Sequence, residues 1–309
     1  MPSVQNKKDD KMSDQKSNFE CFAKLNDSIY ALTGADREKF SNLLNISYKY
    51  PKGQETLNAV AFQGYSYMYE SMFGVNGACD YDHKVVRLDS FRQQKDLAPI
   101  LIHECTHIRQ VERINEISNQ KKTTDFIGSL NAYDFIKLNR ALEADACAHQ
   151  AAFAYQMKED YPQVFETEMK TPMMQAYVGE MEKSGDETKA MQASFKAWYG
   201  YKRYQDSYEE MYVAQIRFNA TERNKETNAV KKETTISNEQ LAKICQHNGK
   251  PYISAAFFDR AENMAVSEKG KEALEQIGDQ SVAKLPVRGA QNSKTPSPVL
   301  LKAAAARGR

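Results

Sequence analysis

A mainly helical α+β fold with a small sheet is what this sequence predicts, on three observations. Apolar residues recur at helical spacing in eight segments, near 19–34, 36–47, 53–73, 97–117, 130–158, 161–182, 186–220 and 237–247. YDHKVVRLDS, over residues 81–90, instead alternates and is rich in β-branched residues, and PYISAAFF after Asn248-Gly249 can hold a short extended piece. No internal repeat divides the chain, so a single helical body with a small sheet fits better than two separate domains.

The body is expected over residues 18–280. Ahead of it, residues 1–17 carry too little apolar material to fold and read as a disordered leader. Behind it, residues 281–309 hold six basic and no acidic residues and are interrupted by Pro286, Pro296 and Pro298, the composition of a flexible basic tail. Between Glu262 and Ile277 the pattern returns to helix.

Forty-two Lys and Arg against forty-one Asp and Glu leave a net charge of +1, so no global field steers the chain to nucleic acid, and none is expected as a partner. No run approaches the 18 apolar residues of a membrane span, and the N-terminal stretch lacks the apolar core of a secretory signal. The five cysteines are odd in number and scattered without a CxxC pair, which reads as reduced thiols in a cytoplasmic protein. A specialised secretion route would leave no such mark.

LIHECTHI, from Leu101 to Ile108, is the stretch that carries chemistry. Four-residue spacing on a helix stacks His103 and His107 on one face, where both imidazoles can grip one metal ion. The flanks support a helix: Asp96 can cap it, Pro99 is tolerated in a first turn, and Leu97, Ile100, Leu101, Ile108 and Val111 form an apolar stripe. Glu104 lies about 100° around from His103, beside the ion rather than on it, in the place of a general base. Zinc is the metal such a site takes, with three protein ligands and a fourth position left for water.

A third ligand is available in NRALEADACAHQAAFAYQ, residues 139–156, whose only glutamate is Glu143. Asp145 and His149 are its rivals. Glu143 and Asp145 differ by about 200° around a helix, so they cannot both face one ion. Ala141, Ala144, Ala146 and Ala148 surround Glu143, and such small residues allow the close helix approach that a short carboxylate needs.

HECTH followed by EADACA resembles the zincin metallopeptidases of the glutamate-ligand (gluzincin) type, in which a second helix with a Glu-Ala-Asp/Asn-x-x-Ala run donates the third ligand. More narrowly it resembles a bacterial family of uncharacterised metallopeptidases. The resemblance covers about 70 residues, from Gly77 to Gln150. It implies a zincin-like helical body with zinc on His103, His107 and Glu143, Glu104 as catalytic base, and Asp145 structural, bonded to backbone or to His149. It also implies that 81–90 is an edge strand whose backbone binds an extended peptide. Cys147 stands where the better known pattern has an aspartate four residues after the ligand, which leaves open what orients His103 or His107.

Further features complete the reading. WYGYKRYQDSYEEMY, from Trp198 to Tyr212, sets an aromatic stripe at helical spacing, and a tyrosine between Tyr199 and Tyr212 could steady an oxyanion. Cys105 and Cys147 read as small buried packing residues, with Cys147 a candidate fourth ligand that would close the site. His83 reads as a surface histidine.

Two functions follow. One is a zinc-dependent metallopeptidase that cleaves a peptide or protein substrate with a metal-activated water and Glu104 as base. The other is a helical interaction or effector protein whose metal site is structural or vestigial.

Overall fold

A computed structural model of the chain describes residues 17–120, 122–225 and 234–289. The expected leader, up to residue 16, and residues 290–309 of the expected tail lie outside these. The described residues are mainly helical with a small sheet, an α-dominant α+β fold. They form two compact units, one taking the chain up to Arg109 together with His149–Glu168, the other taking Gln110–Ala148 and the chain from Met169 onward. Two of the three division points fall inside continuous helices, α4 (Gln94–Ser118) and α6 (Ala132–Gln156).

In the first unit, α1 (residues 17–27) is followed by α2 (Gly34–Tyr48) and α3 (Pro51–Val60). Thr33 caps α2 by accepting from the Asp36 N–H, and Pro51 opens α3, where its missing N–H costs nothing. A helix over 53–73 is not found. α3 stops at Val60, Gly64 turns the chain at a φ of 76° open chiefly to glycine, and β1 (Ser66–Glu70) follows. Tyr65 and Tyr67 are buried at a spacing of two, a pattern that the helical reading of this run absorbed.

β1 pairs in parallel with β3 (Val85–Asp89), and β2 (Gly77–Asp80) pairs antiparallel with β3, giving the order β1-β3-β2. The strand expected at 81–90 is therefore the centre of the sheet and not its edge. β2, written GACD, has no alternating apolar pattern to betray it, and it takes the outer position. The opposite side of β1 is bridged at Ile29↔Tyr67, with the Tyr30 N–H donating to the Tyr67 carbonyl at 2.8 Å. Phe40, Leu43 and Leu44 of α2, Val86 and Leu88 of β3, Leu97 and Leu101 of α4, and Phe153 of α6 share one core.

The second unit is helical. It holds α5 (Thr123–Ser129), α8 (Pro172–Ser184), α9 (Glu187–Gly200), α10 (Lys202–Lys225) and α11 (Asn238–Ile244). The periodic run 161–182 is broken into α7 (Pro162–Glu168), which belongs to the first unit, and α8, because Thr171 caps and Pro172 starts a new helix. The run 186–220 breaks likewise at Tyr201, between α9 and α10. The extended piece near PYISAAFF is β5 (Lys250–Pro251), which pairs with β4 (Gln246–His247) across Asn248 and Gly249, both at positive φ. Phe195 of α9 packs its ring on Tyr252, Phe257 and Phe258.

The return to helix after Glu262 is α12 (Ala261–Met264) and α13 (Glu268–Glu275). Residues 281–288, which composition assigns to the tail, are packed here. Val282 and Leu285 are buried, the Val266 N–H donates to the Pro286 carbonyl, and Arg288 pairs with buried Glu209. No helix among the described residues is long and apolar enough to cross a membrane.

Candidate metal centre

α4 begins at Gln94, ahead of the start that Asp96 would have marked. Asp96 accordingly lies in the first turn, where the positive end of the helix favours a carboxylate, and Pro99 sits inside the helix at the loss of one backbone bond. Leu97, Leu101 and Ile108 are buried and fix the helix's rotation, which leaves His103, His107 and Gln110 in line on another face.

His103 is half-buried and His107 buried. Their Nε2 atoms lie 3.2 Å apart with the rings edge to face. Two imidazoles bound to a tetrahedral zinc at ~2.0–2.1 Å would have their nitrogens about 3.3 Å apart, so this separation fits a shared ion. The structure also brings Glu143 of α6 to them: one ligand atom from each of His103, His107 and Glu143 lies within 4.8 Å of the other two. Among the described residues these three are the group able to hold a metal, and Asp145, Cys147 and His149 are not part of it.

Asp145 is fully buried and held elsewhere. Its Oδ2 accepts from Gln110 Nε2 at 2.8 Å and its Oδ1 from the Tyr252 hydroxyl at 2.8 Å. The same Gln110 amide also donates to the Leu142 carbonyl, tying α4 to α6 along the second unit. Cys147 is buried. His83 is exposed, its Nδ1 beside Asp80 at 3.0 Å.

Glu104 is buried, and β2 is pressed against it. A Cβ placed on Gly77 would fall 2.9 Å from Glu104 Oε1 and 2.7 Å from Ile100 Cγ2, so only glycine lets the edge strand come this near the carboxylate.

Three residues that the sequence reading did not single out complete the surroundings. Gln150, two turns beyond Glu143 on α6, accepts at Oε1 from His103 Nδ1 at 3.0 Å and donates from Nε2 to Glu168 Oε2 at 2.9 Å. Glu168 ends α7; burial pushes its carboxyl up to about 7, against the pull of the Gln150 amide and of His103. Tyr208 is the member of the aromatic stripe that reaches the centre. Burial drives its phenol well above its usual range, and so do the Glu143 charge and the bond it donates to that carboxylate. The rest of the stripe is a ring ladder, with Tyr204 and Tyr212 on either side of Tyr208.

Two imidazoles and a carboxylate converging on one point, with a second carboxylate on the neighbouring helix position, define a candidate metal centre in a mainly helical protein. A family model matches residues 21–253, and the chain belongs to the Putative metallopeptidase family (DUF6782). Membership brings a metal ion and a peptide or protein substrate with it. No curated protein and no solved structure matches the chain.

Proposed function

We propose that the chain is a zinc-dependent peptidase of the zincin type, with His103, His107 and Glu143 as ligands and Glu104 as general base. The observation that carries this reading is the convergence of three ligand atoms within 4.8 Å, two of them imidazole nitrogens 3.2 Å apart. Three protein ligands leave a position open for chemistry, whereas a closed structural site would take a fourth. The ion, when bound, supplies Lewis acidity that activates water and polarises a carbonyl.

The chain's own residues do the rest. Glu104, next to His103 in sequence, takes the proton of the attacking water and delivers it to the leaving amine nitrogen. Its burial keeps competing bulk water away from that proton. Tyr208 holds the Glu143 carboxylate by a hydrogen bond. The outer edge of β2 is suited to pair with an extended peptide by main-chain bonds, and Gly77 places that edge against the base.

Replacing Glu104 by Gln tests the reading. The variant is expected to fold, to keep zinc at one per chain, and to lose peptide hydrolysis by about a hundredfold or more. Full activity in this variant would overturn the catalytic assignment.

A further inference from the structure

A neutral imidazole carries its proton on either Nδ1 or Nε2, and only a nitrogen without the proton can ligate a metal. In water the Nε2–H form is the commoner. Nε2 is the atom of His103 that faces His107 in this structure, so the common tautomer is the wrong one for binding.

Gln150 and Glu168 supply the correction. In the structure the NH2 group of Gln150 meets Glu168 Oε2 at 2.9 Å, the arrangement an ionised carboxylate, which only accepts, requires. That fixes the amide's orientation and turns its oxygen to His103 Nδ1 at 3.0 Å. An amide oxygen also only accepts, so Nδ1 must carry the hydrogen and Nε2 presents a lone pair. All three residues lie in the first unit, on α4, α6 and α7.

We propose that Glu168 and Gln150 form a positioning relay that holds His103 as its Nδ1–H tautomer, with Nε2 ready for the metal. The metal half of this rests on the reading of the centre given above; the tautomer half does not. Neither residue belongs to the group of His103, His107 and Glu143. The relay takes the place of the aspartate that is missing at Cys147, from a position one turn further along the same helix and backed by Glu168 of α7.

The test separates the two halves. In metal-free protein labelled with 15N-histidine, long-range 1H–15N correlation spectra should show His103 as Nδ1–H in the unaltered chain. Gln150→Leu should return it toward Nε2–H and weaken zinc binding, measured against a chromophoric chelator, by about tenfold or more. Glu168→Leu should move both readouts in the same direction by less, and Glu168→Gln, which keeps an acceptor oxygen, should rescue both.

A purely structural link between α6 and α7 would lower thermal stability and leave the tautomer unchanged. An unaltered tautomer in Gln150→Leu overturns the relay, even where zinc still binds. Should that variant fail to fold, equal spectra for Glu168→Leu and Glu168→Gln overturn it instead. The expected tautomer shifts in a chain that binds no zinc would overturn the metal reading and leave the positioning of His103 standing.

Discussion

Two carboxylates on α6, Glu143 and Asp145, are separated by two residues and about 3 Å of helix rise, yet their surroundings differ in kind. Asp145 is fully buried and meets two donors, the Gln110 amide and the Tyr252 hydroxyl, each at 2.8 Å. Glu143 is half-buried and grouped with two imidazoles whose Nε2 atoms face each other. A carboxylate supplied with donors is a structural staple. One gathered with nitrogen ligands is placed to share a cation. The 200° between them on the helix turns each toward different surroundings.

The comparison breaks most sharply at Glu143. Glu143→Ala should leave the folded protein without stoichiometric zinc after dialysis and without peptidase activity, read by atomic emission and by cleavage of a quenched fluorogenic peptide. Zinc retained at one per chain would return the third ligand to Asp145 or His149.

A second substitution asks whether Glu104, the proposed base, is as closely placed as the proposed ligands. Gly77→Ala puts a Cβ within 3 Å of the Glu104 carboxylate and the Ile100 side chain, so β2 or the Glu104 carboxylate must shift. Peptide hydrolysis should fall roughly tenfold with zinc content unchanged, within what an ångström of misplacement costs a reaction. Activity equal to the parent chain would separate β2 from the reaction.

The smallest effect on the chemistry belongs to Asp145. Asp145→Ala leaves two buried donors without their acceptor and should cost about 2–3 kcal/mol of stability, measured as a shift in urea midpoint at constant slope. Zinc content should stay at one per chain. Loss of zinc at full stability would invert the comparison.

The parts of this arrangement that were legible in sequence are those written in periodicity. α4 and α6 announce themselves by long apolar stripes, and HECTH and the glutamate of EADACA fall on them with helical spacing that a reader can project. β1 was not legible, because its tyrosines at 65, 67 and 69 lie in a run that also satisfies helical spacing, and the glycine at 64 that divides it is a single residue. β2 carries no apolar alternation at all, so the edge of the sheet went to the strand beside it. Gln150 lies seven residues beyond Glu143 and could have been found from that spacing, as the same face of α6 two turns on. Glu168 could not, and Tyr208 was marked only as one tyrosine of its stripe. Each reaches the centre from another helix, and which residue of a helix meets a given point depends on tertiary packing that no local pattern encodes.

Zinc K-edge X-ray absorption on the purified, zinc-loaded chain tests the central claim most directly, because it reads the ligand set itself. The account predicts a shell of nitrogen and oxygen only, near ~2.0–2.1 Å, with the outer-shell scattering of two imidazoles. A sulfur shell near ~2.3 Å would bring Cys147 into the site and make it a closed, structural centre, contradicting a peptidase built on His103, His107 and Glu143.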